Sequence, residues 1–386
     1  MIKSVVKHLF PLLLCCPLLA AAQPFAIQPE LFDAGQPDTL GLSVSAGVEH
    51  ATIYRAQPTV SQYNHGVVLF AYGDTLYAQW QSSARDEDAA DTSVLYASSR
   101  DGITWSAART LAPARKGAVV TSGGWWSGAG RLYGFINVWP QDLKPRGGHV
   151  EVLASSDGVL WENIGRPTFA DGSPLDGVIE QDFHRYQDGR IVTALHRQPG
   201  LLVQPVYTDD PSGLRGWQLG QFENLSVKKA VSRELEPSNF QRADGALVMV
   251  FRDQQSSFRV LAAVSKDGGK RWSRAVETNL PDSRAKQSAG NLPDGTAYIV
   301  NNPSGSKLRE PLVITLSDDG AQFDRAFLLR AGGDAIPGPE FEGLYKRKGF
   351  SYPKSFVWKN HLYVAYAENK EAVKVTRIPL ESLSQQ

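Results

Sequence analysis

A short segment, Ser-x-Asp-Gly followed closely by Trp or Phe, returns four times in this chain: Ser99 to Trp105, Ser155 to Trp161, Ser265 to Trp272 and Ser317 to Phe323. Self-similarity of this kind marks an architecture of repeated units and constrains the fold more than any single residue does. In each copy the Asp can accept hydrogen bonds from nearby backbone amides, the Gly supplies the dihedrals of a tight turn, and the aromatic ring tucks beneath. Each copy therefore reads as a hairpin turn with its own plug. A second repeat, a turn followed by a strand-like run, lies between the first: YGDTLYAQW, GAGRLYGFI, QDGRIVTAL, ADGALVMVF, PDGTAYIVN and WKNHLYVAY. With Asp74, Ala129, Asp188, Asp244, Asp294 and Asn360 as markers, the unit recurs at roughly 50 to 65 residues. Six units of about four short strands predict an all-β, six-bladed β-propeller, with seven blades as the alternative. The third unit carries a decayed plug at Thr208 to Trp217 and the sixth carries none. The closing blade is expected to take a strand from the segment around Ala51 to Arg55, which removes a free sheet edge.

The N-terminus places Lys3 and Lys7 before the apolar run Leu9 to Leu19 and then Ala20-Ala21-Ala22. This pattern predicts a signal peptide over residues 1–22 and a periplasmic or secreted protein; the apolar run is too short for a membrane span. Residues 23–386 are expected to form one propeller domain. Both cysteines, Cys15 and Cys16, fall in the leader, and the leucines before them disfavour a lipid anchor. The mature chain would then have no disulfide and would be held by packing alone. Lys and Arg balance Asp and Glu at 40 each, so no basic stripe argues for nucleic acid. No zinc spacing, phosphate-cradling loop or nucleophile-elbow serine is present, and neither cofactor nor metal is expected. A monomer is expected.

A propeller brings equivalent positions of every blade around one axis, so the repeat itself predicts which residues meet. Counting about eight residues back from each marker, along the innermost strand, reaches His65, Ser122 (or Thr121), Glu180, Glu236, Lys286 and Tyr352. A packed core ring would be apolar or small, whereas most of these are ionisable or phenolic. The same step forward reaches Gln81, His196 with Arg197, Arg252 with Asp253, Asn301 with Asn302, and Glu368; His149 and Arg309 open third strands. These groups are expected to line one mouth of the axial funnel, with the plugs on the opposite face. Tyr352 can serve as nucleophile or proton donor beside a carboxylate such as Glu236. His65 and His149 can act as acid or base. Arg252 and Arg309 offer a fork for a carboxylate or sulfate, and Arg197, His196, Lys286 and Glu180 complete the expected binding set.

At these residues the chain, from about Tyr63 to Leu380, resembles the sialidase-like propeller superfamily of Asp-box or BNR repeats. ELEPSNFQRADGALVMVFRDQQSSFRVLAAVSKDGGKRWS resembles the segment that gives sialidases the Glu partner of their nucleophile and a substrate Arg, which would be Glu236 and Arg252. LREPLVITLSDDG resembles the segment with a further Arg, here Arg309. GFSYPKSFVWKNHLYVAYAE resembles the segment with the tyrosine nucleophile, here Tyr352. Sialidases open the first blade with Phe/Tyr-Arg-Ile-Pro, where this chain has Tyr63-Asn64-His65-Gly66, so the first clamp Arg is missing. Arg55 is a candidate substitute. The acid of sialidases corresponds to Asp86, Asp88 or Asp91 in the loop before the first plug. His65 also resembles the first-blade histidine of secreted ulvan lyases and rhamnosyl-glucuronate hydrolases, but the next catalytic His and the downstream Arg of that branch have no clean counterpart here, where Gln81 and His149 stand near those positions.

The resemblance implies a secreted enzyme cleaving glycosidic bonds of an acidic oligo- or polysaccharide, foremost as a sialidase-like hydrolase. One alternative is a polysaccharide lyase acting by β-elimination on a uronic-acid glycan, with a histidine base and Tyr352 as acid. Another is a glycan-binding propeller without turnover, in which Trp125 and Trp126 stack on sugars.

Overall fold

The computed structural model describes residues 23–384; the expected leader lies outside them. Strands dominate, and the helical content is two single 3-10 turns, Gly333–Ala335 and Leu380–Leu383. The strands form six four-layered antiparallel blades, as the repeat requires. Blade 1 runs Tyr63–Tyr72, Thr75–Ser83, Ser93–Ser99 and Arg109–Ala112; blade 2 runs Ala118–Gly128, Arg131–Pro140, His149–Ser155 and Glu162–Gly165. Blade 3 has a broken inner strand, Gly177–Ile179 and His184–Arg185, followed by Ile191–Arg197, Leu202–Thr208 and Gln218–Leu219. Blade 4 holds Glu234–Gln241, Leu247–Asp253, Arg259–Ser265 and Val276–Pro281, and blade 5 holds Ser288–Asn291, Ala297–Asn301, Leu312–Ser317 and Arg325–Arg330. Blade 6 joins Phe350–Trp358, His361–Glu368 and Ala372–Pro379 to the N-terminal strand Glu49–Tyr54, so the ring closes with the borrowed strand that the sequence suggested. The seven-blade alternative is thereby excluded.

Each blade is covered on both faces by its neighbours, which explains why second and third strands such as LVMVF and LVITL are apolar throughout rather than alternating. The core consists of separate wedges between adjacent blades. Trp80, Tyr363 and Val375 pack between blades 6 and 1, Trp125 and Tyr96 between 1 and 2, and Phe135 and Trp217 between 2 and 3. Met249 and Trp272 fill the next wedge, Phe240 and Ile299 the one after, and Phe350 and Tyr366 the last. A parallel pairing of Ala26–Ile27 with Gln322–Phe323 adds a strap in which Phe25 meets Phe240 and Phe323 edge-on.

The plugs behave as their residue types dictate. Asp101 accepts hydrogen bonds from the amides of Ile103 and Thr104, while Ser99 Oγ bonds both Asp101 and the Gly102 amide. Asp157 and Asp319 repeat the pattern, and in the longer fourth-blade copy Asp267 reaches the Arg271 amide. The third-blade version keeps Asp210 bonded to the amides of Ser212 and Arg215, with Trp217 fully buried. Among the described residues no helix is long and apolar enough to cross a membrane.

Candidate active site

The innermost strands do not run straight to the axial mouth. Their pairing slips between His65 and Val68, Ser122 and Gly124, Leu235 and Ser238, and Ser351 and Lys354. Such bulges re-aim side chains that would otherwise lie against the neighbouring blade. At these slips Gly66, Gly124, Glu236 and Tyr352 have φ of 64°, 98°, 53° and 55°. Left-handed backbone at a non-glycine residue costs about 1 kcal/mol or more, and here two such residues, Glu236 and Tyr352, face each other.

Between them lies a cavity of about 560 Å³ on the axis. All six inner-ring positions line it: His65, Ser122 with Thr121, Glu180, Glu236, Lys286 and Tyr352. From the expected outer set Gln81, His196, Arg252 and Arg309 join them. The Tyr352 hydroxyl donates to Glu236 Oε1 at 2.6 Å, and Arg252 Nη1 donates to Glu236 Oε2 and to the Tyr352 oxygen, each at 2.8 Å. Arg252 Nη2 is fixed by Gln254 Oε1 at 2.7 Å, and His196 Nε2 accepts the Glu236 amide at 3.3 Å. Arg309 donates to Ser351 Oγ at 2.8 Å and lies 5.2 Å from the Tyr352 ring centre, with its Nε unpartnered. Lys286 bonds Glu180 and Gln181 at 2.7–2.9 Å. The His65 ring centre is 4.3 Å from that of Tyr352, and neither ring nitrogen has a partner.

Protonation follows from these contacts. Burial pushes the Tyr352 phenol far above its ordinary range, and the Glu236 charge adds to this, so it rests protonated. Burial also raises the Glu236 carboxyl, but Arg252, Lys286 and the Tyr352 hydrogen bond together outweigh it and hold the group below the usual value, as a carboxylate. Burial, reinforced by Lys370 and Arg309, keeps His65 well below its ordinary pKa and therefore neutral. A neutral acid thus sits in hydrogen-bond contact with a charged base, with a guanidinium touching both.

Six expected residues lie elsewhere: Asp253 pairs with Arg233, Asn301 and Asn302 donate to the Pro281 and Pro311 carbonyls, Glu368 pairs with Arg330, and His149 and Arg197 turn aside as well. His149 pairs with Val138, whose side chain packs between blades 1 and 2; strand alternation therefore sets it on the blade face, against Glu151 at 3.2 Å. Arg197, one residue beyond the inward-facing His196, points the other way and pairs with Asp176. Asn64, at the position of the missing Arg, is buried and bonds the backbone of Ser61 and Glu371. Arg55 is exposed and lies outside the cavity. Of the three loop aspartates only Asp88 lines the cavity, paired with Arg146 at 2.6 Å; Asp86 and Asp91 bond the amides of Leu344 and Ala84. The wall also contains Glu87, Arg284, Lys307, Tyr345, Arg347 and Lys370, none of which the repeat singled out. Lys370 is almost wholly buried and paired with Glu87.

The BNR repeat-like domain family matches residues 74–364, the greater part of the propeller. The chain belongs to that family. No curated protein matches the sequence. Among solved structures this BNR-repeat chain is similar to a sialidase, at 20% identity and a TM-score of 0.60, over 92% of its own length and 35% of that protein's. It is similar to the intramolecular trans-sialidase of Ruminococcus gnavus (13%, TM-score 0.61, 90% of this chain and all of that one). A protein of unknown function from Dyadobacter fermentans is comparable (17%, TM-score 0.62, 86% and 100%). The chain spans about a third of the first sialidase. At these identities the likeness establishes the sialidase-like propeller fold.

Proposed function

We propose that this BNR-repeat propeller is an exported enzyme that hydrolyses glycosidic bonds of an acidic saccharide, with Tyr352 as nucleophile. The observation that carries the reading is the hydrogen-bonded set of Tyr352, Glu236 and Arg252 on the cavity wall. As the Tyr352 oxygen bonds to the anomeric carbon, its proton passes to Glu236 Oε1 and the bond to the leaving sugar oxygen breaks. Arg252 offsets the charge on the phenolic oxygen as the proton departs. In its protonated form Asp88 gives its proton to the leaving oxygen; water then attacks the anomeric carbon and passes a proton to the Asp88 carboxylate, while the bond to Tyr352 breaks and Glu236 returns the phenolic proton. Arg309, buried and with an unpartnered Nε, takes the substrate's acidic group.

One observation favours a second reading. A neutral His65 with two free nitrogens beside Tyr352 suits a base better than an acid. In a lyase it would take the C5 proton of a uronate neutralised by Arg309; those electrons form the C4–C5 double bond as the leaving oxygen departs with the Tyr352 proton. Tyr352→Phe tests both readings against pure binding. On acidic glycans the enzyme readings predict a loss of turnover of about a thousandfold or more with glycan affinity retained. Unchanged turnover would exclude Tyr352 chemistry.

A further inference from the structure

Eight cationic and four acidic side chains line the cavity of a chain whose overall charge is zero. All four acids are already matched: Glu87 to Lys370, Asp88 to Arg146, Glu180 to Lys286 and Glu236 to Arg252. Arg284, Lys307, Arg309 and Arg347 have no acidic partner among the described residues, an excess well beyond what one substrate carboxylate would neutralise.

Three of these four come from two segments that meet at a single bridge. Arg309 bridges Gly349 in parallel, and the Phe350 amide donates to the Arg309 carbonyl at 2.7 Å. Lys307 and Arg347 each lie two residues before this bridged pair, in irregular backbone, and both line the cavity. The intervening Lys348 turns away and donates to the Gly333 carbonyl, and Leu308 is exposed outside the cavity. Two residues before Arg347, Tyr345 is 64% exposed at the cavity edge, where a ring can cover a sugar face.

We infer that Lys307 and Arg347 form a second anion subsite, so that the preferred ligand is an oligosaccharide with acidic groups, carboxylate or sulfate, on two neighbouring sugars. This rests on the reading of the cavity as a saccharide site, with Arg309 holding the first acidic group.

The test measures binding by calorimetry in the Tyr352→Phe background, where turnover does not interfere. The probes are a single uronic acid, a disaccharide of two uronates, and a uronate joined to a sulfated sugar. At least one dianionic probe should bind about tenfold more tightly than the monosaccharide, and the better of the two names the second group. Adding Lys307→Ala and Arg347→Ala should bring that probe to the level of the monosaccharide and leave the monosaccharide unaffected, while Arg309→Ala should weaken every probe. Equal binding of all probes, no binding of any, or a double variant without selective effect would overturn the second subsite. If Arg309→Ala changes nothing, the saccharide reading of the cavity fails; if only the double variant is silent, that reading stands and the second subsite alone falls.

Discussion

Tyr352 and Glu236 are held in left-handed backbone at facing bulges, and this places a phenol and a carboxylate 2.6 Å apart across the axis from blades 6 and 4. Because Glu236 is kept charged by Arg252 and Lys286 despite its burial, Glu236→Gln should retain the fold and lower kcat by about a hundredfold or more; a steady-state assay of the variant checks this. Lys370 makes a pH prediction of definite sign. Burial brings its pKa down to about 8 even though Glu87 acts against it. Below that value it carries its charge beside Arg309, Arg347 and His65; above it the cavity loses one cation and Glu87 loses its partner. For an acidic substrate kcat/KM should therefore fall as pH rises through about 8, and Lys370→Arg should shift the fall to higher pH. His65, Glu236, Arg252 and Tyr352 were legible in the sequence because they occupy equivalent steps from the marker turns, and Arg309 because its segment resembles the one that carries a sialidase Arg. Lys307, Arg347 and Lys370 were not, since they lie in or beside irregular loops where no repeat fixes the count. His149 and Arg197 misled for a related reason: a count of residues locates a strand end, but the parity of that strand decides which face a side chain takes.

At the scale of the element, each plug converts a Ser, an Asp and a Gly into a closed turn that seats an aromatic ring. Gly102 shows how little space remains: its φ is 76°, and an added Cβ would lie 2.1 Å from Cε1 of Tyr363 in blade 6. Gly102→Ala should cost about 3 kcal/mol, whereas Asp101→Ala, which removes the acceptor for the Ile103 and Thr104 amides and the Ser99 hydroxyl at the surface, should cost about 1 kcal/mol. Denaturant midpoints measure both, and kcat should remain unchanged because the plugs lie at the end of the blades opposite the cavity. The decayed third-blade plug was readable from the sequence because Asp210 and Trp217 survive. The interruption of the blade 3 inner strand between Ile179 and His184 was not, since nothing in its pattern of residue types signals where pairing stops.

For the whole molecule, closure is the controlling feature. Glu49–Tyr54 completes blade 6 by pairing with Ala372–Pro379 and buries Ile53 in the wedge between blades 6 and 1. A chain beginning after Tyr54 would expose the edge of Ala372–Pro379, and it should melt at lower temperature and associate in solution; calorimetry and gel filtration measure both effects. The blade number followed from six turn-and-strand repeats, while the Phe25 strap was invisible because two residues of pairing leave no periodic trace. The same closure sets the six inner strands around one cavity, where the chemistry proposed here takes place. Its most direct test is a product assay on the purified protein with sialylated, rhamnosyl-uronate and polyuronate glycans, following reducing ends and the ultraviolet absorbance of unsaturated uronate together. Hydrolysis through Tyr352 and Glu236 predicts new reducing ends or free sugar without that absorbance. Absorbance rising in step with cleavage would contradict it and assign the base to His65.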